Sequence, residues 1–192
     1  DAYACSPAGA GPWPGVIFFM DGLGIRQALH DMAARLASHG YFVILPNLYY
    51  RAGPQDEFVP AEVFKGGPER ERLMKLMQML NGPRVMSDVA SCLEFLAKSP
   101  SVKGSNVGVN GYCMGGRWAL LAAGTFPERI VASGSFHAGG LATDQPDSPH
   151  LLAKDLRAKV YIAVAGIDPY FSDEERGRIK GALEATRADF RL

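Results

Sequence analysis

The stretch Gly111-Tyr112-Cys113-Met114-Gly115-Gly116 limits the possible folds of this chain more than any other, because a strand leads into it and a helix leaves it. Asn106–Asn110 is short and β-branched enough for a buried parallel strand, and Trp118–Ala123 is apolar on nearly every side, as a central helix would be. A nucleophile in a strand-to-helix turn of the form G-x-nucleophile-x-G stands on a sharply bent backbone. The flanking glycines remove the side chains that would clash there. Cys113 is therefore expected to project into a cleft, with its sulfur at a helix N-terminus where unpaired N–H groups and the macrodipole stabilise a thiolate. A tightly packed glycine turn around a small buried cysteine is the other reading. The G-x-x-x-G-G spacing is not a dinucleotide fingerprint, and no Walker lysine follows it.

Other pieces fall in an order that suits the same kind of protein. Val16–Met20 reads as a central strand ending in the turn Met20-Asp21-Gly22-Leu23-Gly24, and Tyr41–Leu45 as a strand ending in Leu45-Pro46-Asn47-Leu48-Tyr49. Val160–Ala165 reads as a strand that bends at Gly166-Ile167-Asp168. With the cysteine turn, these segments resemble the dienelactone hydrolase family, α/β-hydrolases that use cysteine where most relatives use serine. The resemblance spans almost the whole chain. It implies a three-layer α/β-hydrolase sandwich, a mostly parallel sheet with helices on both faces, forming a single domain over residues 1–192.

Roles follow from the resemblance residue by residue. Cys113 would attack an ester or lactone carbonyl, and the N–H groups of Gly22 and Met114 would hold the oxyanion. Asp168 would orient the catalytic imidazole. Asp21 takes the place of a family glutamate close to the cysteine, although a turn or N-cap aspartate reads equally well. Arg70 falls where the family binds a substrate carboxylate, with Met74 in place of a tyrosine one turn later; i,i+4 surface pairing is its alternative. Arg51, in the long irregular stretch from Pro46 to about Gly67, is a second candidate for an anionic substrate, or a solvated loop arginine.

The four histidines, His30, His39, His137 and His150, all precede Asp168, whereas triads on this fold run nucleophile, acid, histidine. His137 lies at a strand end and is a weak candidate for the base. The closing residues Ala188-Asp189-Phe190-Arg191-Leu192 alternate apolar with charged, like the approach to one more strand. In the family such a strand precedes the histidine loop. Both ends are therefore expected to be clipped, and triad activity to need a histidine beyond Leu192; a short form without triad catalysis is the other interpretation.

Composition restricts the partners. The 192 residues carry 20 Lys plus Arg against 20 Asp plus Glu, with no basic block, so nucleic acid is not expected. Apolar runs are strand-length, so no membrane span is expected. Three cysteines, Cys5, Cys92 and Cys113, without metal spacing fit a reducing, cytoplasmic setting and no metal or organic cofactor. The expected partner is a small-molecule ester or lactone, with oligomeric state open. The rival reading is a non-catalytic ligand-binding or redox-sensing protein on the same fold.

Overall fold

The computed structural model describes residues 1–186 and 188–192. Seven strands form one sheet in the order β1-β3-β2-β4-β5-β6-β7. They are β1 (Ala2–Cys5), β2 (Trp13–Phe19), β3 (Phe42–Pro46), β4 (Val102–Tyr112), β5 (Ile130–Phe136), β6 (Lys159–Ala163) and β7 (Phe190–Arg191). Only β1 is antiparallel to its neighbour; every other pair is parallel. In β2 and just after it, Ile17, Phe18, Phe19 and Met20 are at most 1% exposed, so both faces of this strand are buried. Each such side chain contributes about 1.5–3 kcal/mol relative to exposure.

From β2 the chain steps to β3 on one side, then crosses back to β4 on the other. That reversal lies at the carboxyl ends of β2 and β4, the place where open α/β sheets bind ligands. Helix α1 (Gln27–Ser38) covers the β1–β3 end of one face through Leu29, Ala33 and Ala37, and it ends at Gly40, whose φ is +96°. Helices α4 (Gly82–Lys98) and α5 (Met114–Thr125) cover the opposite face. The side chain of Asn81 caps α4 by accepting from the Arg84 N–H, and Val85, Val89, Cys92, Leu93 and Leu96 pack inward as their spacing predicts. Ten of the twelve residues of α5 are buried, which is why its sequence shows no polar face.

The α1 face is only half covered. Phe18, Tyr112, Phe136 and Tyr161 form a row across β2, β4, β5 and β6, with Tyr112 stacked on Phe136 at 4.8 Å, and Tyr161 is 45% exposed. A groove of about 630 Å³ runs between Met32 and Leu36 of α1 and Asn110 and Tyr112 of β4. It does not include Cys113, so the chain reversal marks the site better than volume does.

Three local expectations change. The stretch read as irregular contains a 3₁₀ turn (Tyr50–Ala52) and helix α2 (Pro60–Lys65), too short to show periodicity because it buries only Val63. It leads into α3 (Pro68–Gln78). Strand β4 starts at Val102, earlier than its apolar core suggests, because Lys103–Asn106 is exposed. At helix α6 (Asp173–Ala185) the Ser172-x-x-Glu175 spacing predicts a capping box; Ser172 Oγ accepts from the Glu175 N–H, but the Glu175 carboxylate does not return the bond. It accepts instead from the backbone N–H groups of Leu141 and Ala142. Among the described residues no helix is long and apolar enough to cross a membrane.

Candidate active site

Tyr112 is the last residue of β4 and Met114 the first of α5, so Cys113 alone makes the bend, at φ 53° and ψ −123°. That region is costly for a side-chain-bearing residue, by about 1–3 kcal/mol, and persists only where its surroundings dictate it. Cys113 N–H donates to Phe136 O at 2.9 Å, and Cys113 O accepts from Gly116 N–H at 3.0 Å. A Cβ on Gly115 would lie 2.6 Å from Phe19 O and 2.7 Å from Met20 O. One on Gly116 would lie 2.8 Å from Ala138 Cβ, and one on Gly111 would strike the Gly115 backbone. The helix therefore starts hard against the end of β2, and Cys113 as a residue is exposed while its sulfur is partly buried.

The pairing of Phe19 with Gly111 sets the Asp21–Gly24 turn beside this bend. Gly24 N–H donates to Asp21 O at 3.1 Å. In a planar trans peptide the carbonyl of residue 21 and the N–H of residue 22 point opposite ways, so that bond aims the Gly22 N–H outward. The Cys113 O···Gly116 N bond does the same for the Met114 N–H. Both N–H groups favour the Cys113 thiolate.

The thiol pKa is nonetheless raised, which corrects the expectation of a helix-stabilised thiolate. Partial burial of the sulfur is the largest cause; the N–H of Met114 opposes it, and the carboxylate of Asp21 adds to it. The Gly22 N–H opposes it again and the Asp168 carboxylate adds to it. Desolvation and two negative charges outweigh the two donors.

Asp21 is clamped. Arg26 reaches both of its carboxylate oxygens at 2.7 Å, and the Leu23 N–H donates to Oδ1 at 3.0 Å. Asp168 is half-buried in the turn after β6, where its Oδ1 accepts from Tyr170 N–H at 2.9 Å. No histidine hydrogen-bonds Asp168 or Cys113 among the described residues. His30 packs on Tyr3, His39 Nδ1 meets Arg35 O, and His150, half-buried, has its Nδ1 2.9 Å from Ser148 Oγ. His137 is exposed, its ring 6.1 Å from that of Tyr112.

The two arginine candidates separate. Arg51 turns to Asp88 on α4 with two bonds of 2.7 Å, so its guanidinium already faces a carboxylate. Arg70 is exposed and has no ion-pair partner among the described residues, while the neighbouring Arg72 pairs with Glu69. Two residues that sequence reasoning missed also shape the site. Tyr49, 5% exposed, donates to Gly22 O at 2.8 Å, and Arg26 holds Asp21. No spacing rule links Tyr49 to Gly22; only the strand-end segment containing it stood out. Met77 of α3 lies over Gly22, its sulfur 3.4 Å from where a Cβ would be.

Known proteins carry the same architecture. A Klebsiella pneumoniae crystal structure named "putative dienelactone hydrolase" superposes with a TM-score of 0.82 at 26% identity, covering 98% of this chain and 76% of that one. A Methylorubrum extorquens protein named "putative carboxymethylenebutenolidase" is 28% identical over 96% of this chain and 61% of its own length. A Bradyrhizobium protein named as a probable 2-oxo-3-(5-oxofuran-2-ylidene)propanoate lactonase is 25% identical over 100% of this chain and 74% of its own. The chain spans 61%, 54% and 63% of the length of three carboxymethylenebutenolidase-named relatives. The description of the dienelactone hydrolase family matches residues 1–192, and the chain belongs to that family of hydrolases.

Proposed function

We propose that the chain cleaves an ester or lactone through an acyl-thioester on Cys113. The observation that carries this reading is the place of Cys113, on a positive-φ bend at the carboxyl end of β4 beside the Asp21–Gly24 turn that leaves β2, with the N–H groups of Gly22 and Met114 on those two turns. Sulfur attacks the carbonyl carbon, the two N–H groups take the developing oxyanion, and the alcohol or enol leaves; water then cleaves the thioester. Asp168 orients a histidine that moves the proton, and this triad step depends on an imidazole that His30, His39, His137 and His150 do not supply in the arrangement described.

Arg70 is the proposed contact for a substrate carboxylate. It stands seven residues before Met77 on α3, on the same side of the helix and about 10 Å along its axis. Replacing Cys113 with alanine abolishes acyl transfer from p-nitrophenyl acetate, followed by p-nitrophenolate release and intact mass. Undiminished acylation in that variant would sink the assignment. Arg70→Ala raises KM about tenfold for a carboxylate-bearing lactone, as loss of one charge-assisted contact implies, and leaves a neutral ester unaffected. Equal changes for both substrates would remove Arg70 from the site.

A further inference from the structure

We infer that Tyr49 is a positioning residue for the oxyanion donors, its hydroxyl locking the Gly22–Leu23 peptide so that the Gly22 N–H keeps its aim. The inference rests on the acyl-transfer reading above. Tyr49 Oη lies 2.8 Å from Gly22 O and 3.8 Å from Met114 Sδ, so one hydroxyl touches both residues whose N–H groups face the sulfur. The other edge of the same peptide is held too, because Leu23 N–H donates to Asp21 Oδ1 and Arg26 fixes that carboxylate. Gly22 carries no side chain to limit its rotation, so the planes on either side must be held from outside. The preceding plane is pinned by Gly24 N–H on Asp21 O, and the following one by Tyr49.

Tyr49 is itself well anchored. Its N–H donates to Asn47 Oδ1 at 3.0 Å, its carbonyl accepts from Ala52 N–H at 2.9 Å, and its ring would lie 3.5 Å from a Cβ on Gly24. Burial pushes its pKa well above the ordinary phenol value, aided by the charge of Asp21, so the hydroxyl stays a donor across the working pH range. A phenylalanine would fill the same volume. What the hydroxyl adds is direction, and direction matters only where an oxyanion forms.

Two reactions of the same sulfur test this. With p-nitrophenyl acetate the Sγ–C bond forms through a tetrahedral oxyanion, the ester C–O bond breaks, p-nitrophenolate departs with its electron pair, and the thiol proton passes to buffer. With iodoacetamide the sulfur displaces iodide from a saturated carbon, the proton again goes to buffer, and no oxyanion arises. In the 192-residue protein, Tyr49→Phe lowers the acylation rate about tenfold, less than the hundredfold or more for deleting a donor outright. Its alkylation rate stays at the wild-type value. Tyr50→Phe, whose hydroxyl meets only Asp88 at the surface, changes neither rate. Acylation that is undiminished in Tyr49→Phe, or acylation and alkylation that fall together, overturns the inference alone. A wild-type protein alkylated at Cys113 but never acylated overturns the acyl-transfer reading and this inference with it.

Discussion

The two turns that face Cys113 are built by opposite means. At the Tyr112–Met114 bend the backbone is forced into place by what is missing, since Gly111, Gly115 and Gly116 let strand, helix and neighbouring carbonyls touch. At the Asp21–Gly24 turn it is held by what reaches in, the Tyr49 hydroxyl, the Arg26 guanidinium and the Met77 sulfur. The first device is rigid and intolerant of added volume. The second is a set of separable side-chain contacts, each of which can be removed without adding volume.

That contrast is broken most severely at Gly115. In Gly115→Ala the new methyl meets two backbone oxygens that cannot turn aside, so stability falls by about 3 kcal/mol in urea titration, the upper end for overpacking. A loss under about 1 kcal/mol, the scale of an unforced glycine, would show that the bend yields. Arg26→Ala tests the other turn. It leaves the Asp21 carboxylate, 18% exposed, without its partner and costs about 2 kcal/mol, less than a fully buried pair because water still reaches it. Its second effect is electrostatic: the Asp21 charge, no longer balanced, raises the Cys113 pKa further, read as slower alkylation at fixed pH. The smallest effect concerns the thiol itself. Because its pKa is raised, the neutral form dominates near pH 7, and iodoacetamide alkylation climbs through a midpoint above the ordinary thiol value of about 8.5. Asp168→Asn removes one of the charges that raise it and moves the midpoint down; a midpoint below 8.5 in the unaltered protein would contradict the balance described.

The glycine-built turn was readable in the sequence because its mechanism lies in the residues themselves. Gly111, Gly115 and Gly116 announce a close approach whatever they approach. The parallel order of the strands was readable for a similar reason, since Val16–Met20 and Val107–Val109 are apolar without interruption. The side-chain-built turn was not. Tyr49 is 27 residues from Gly22, and Arg51 finds Asp88 across 37; neither partner leaves a local trace. The sign of the thiol shift was misjudged likewise, because the helix end is local to Cys113 whereas the burial of its sulfur, and after it the charges of Asp21 and Asp168, come from segments distant in sequence. Arg70 stood out through the resemblance and Arg51 through its place in a long loop, and neither signal shows that Arg51 meets Asp88. Glu175 carried a sound capping signal and yet serves the Leu141 and Ala142 amides, a case of tertiary geometry overriding a local motif.

The left-handed backbone at Cys113 also bears on how the chain acquires its activity in time. Its conformation depends on Phe136 from β5 and on the end of β2, segments some 23 residues later and 94 earlier than the cysteine. Contacts of such long separation form late, after loop closure has been met, so a collapsed but undocked chain would carry an ordinary flexible cysteine. The strained bend at Cys113 thus requires β2, β5 and α5 together, and the onset of selective alkylation of Cys113 during refolding would time the docking of α5 onto the sheet.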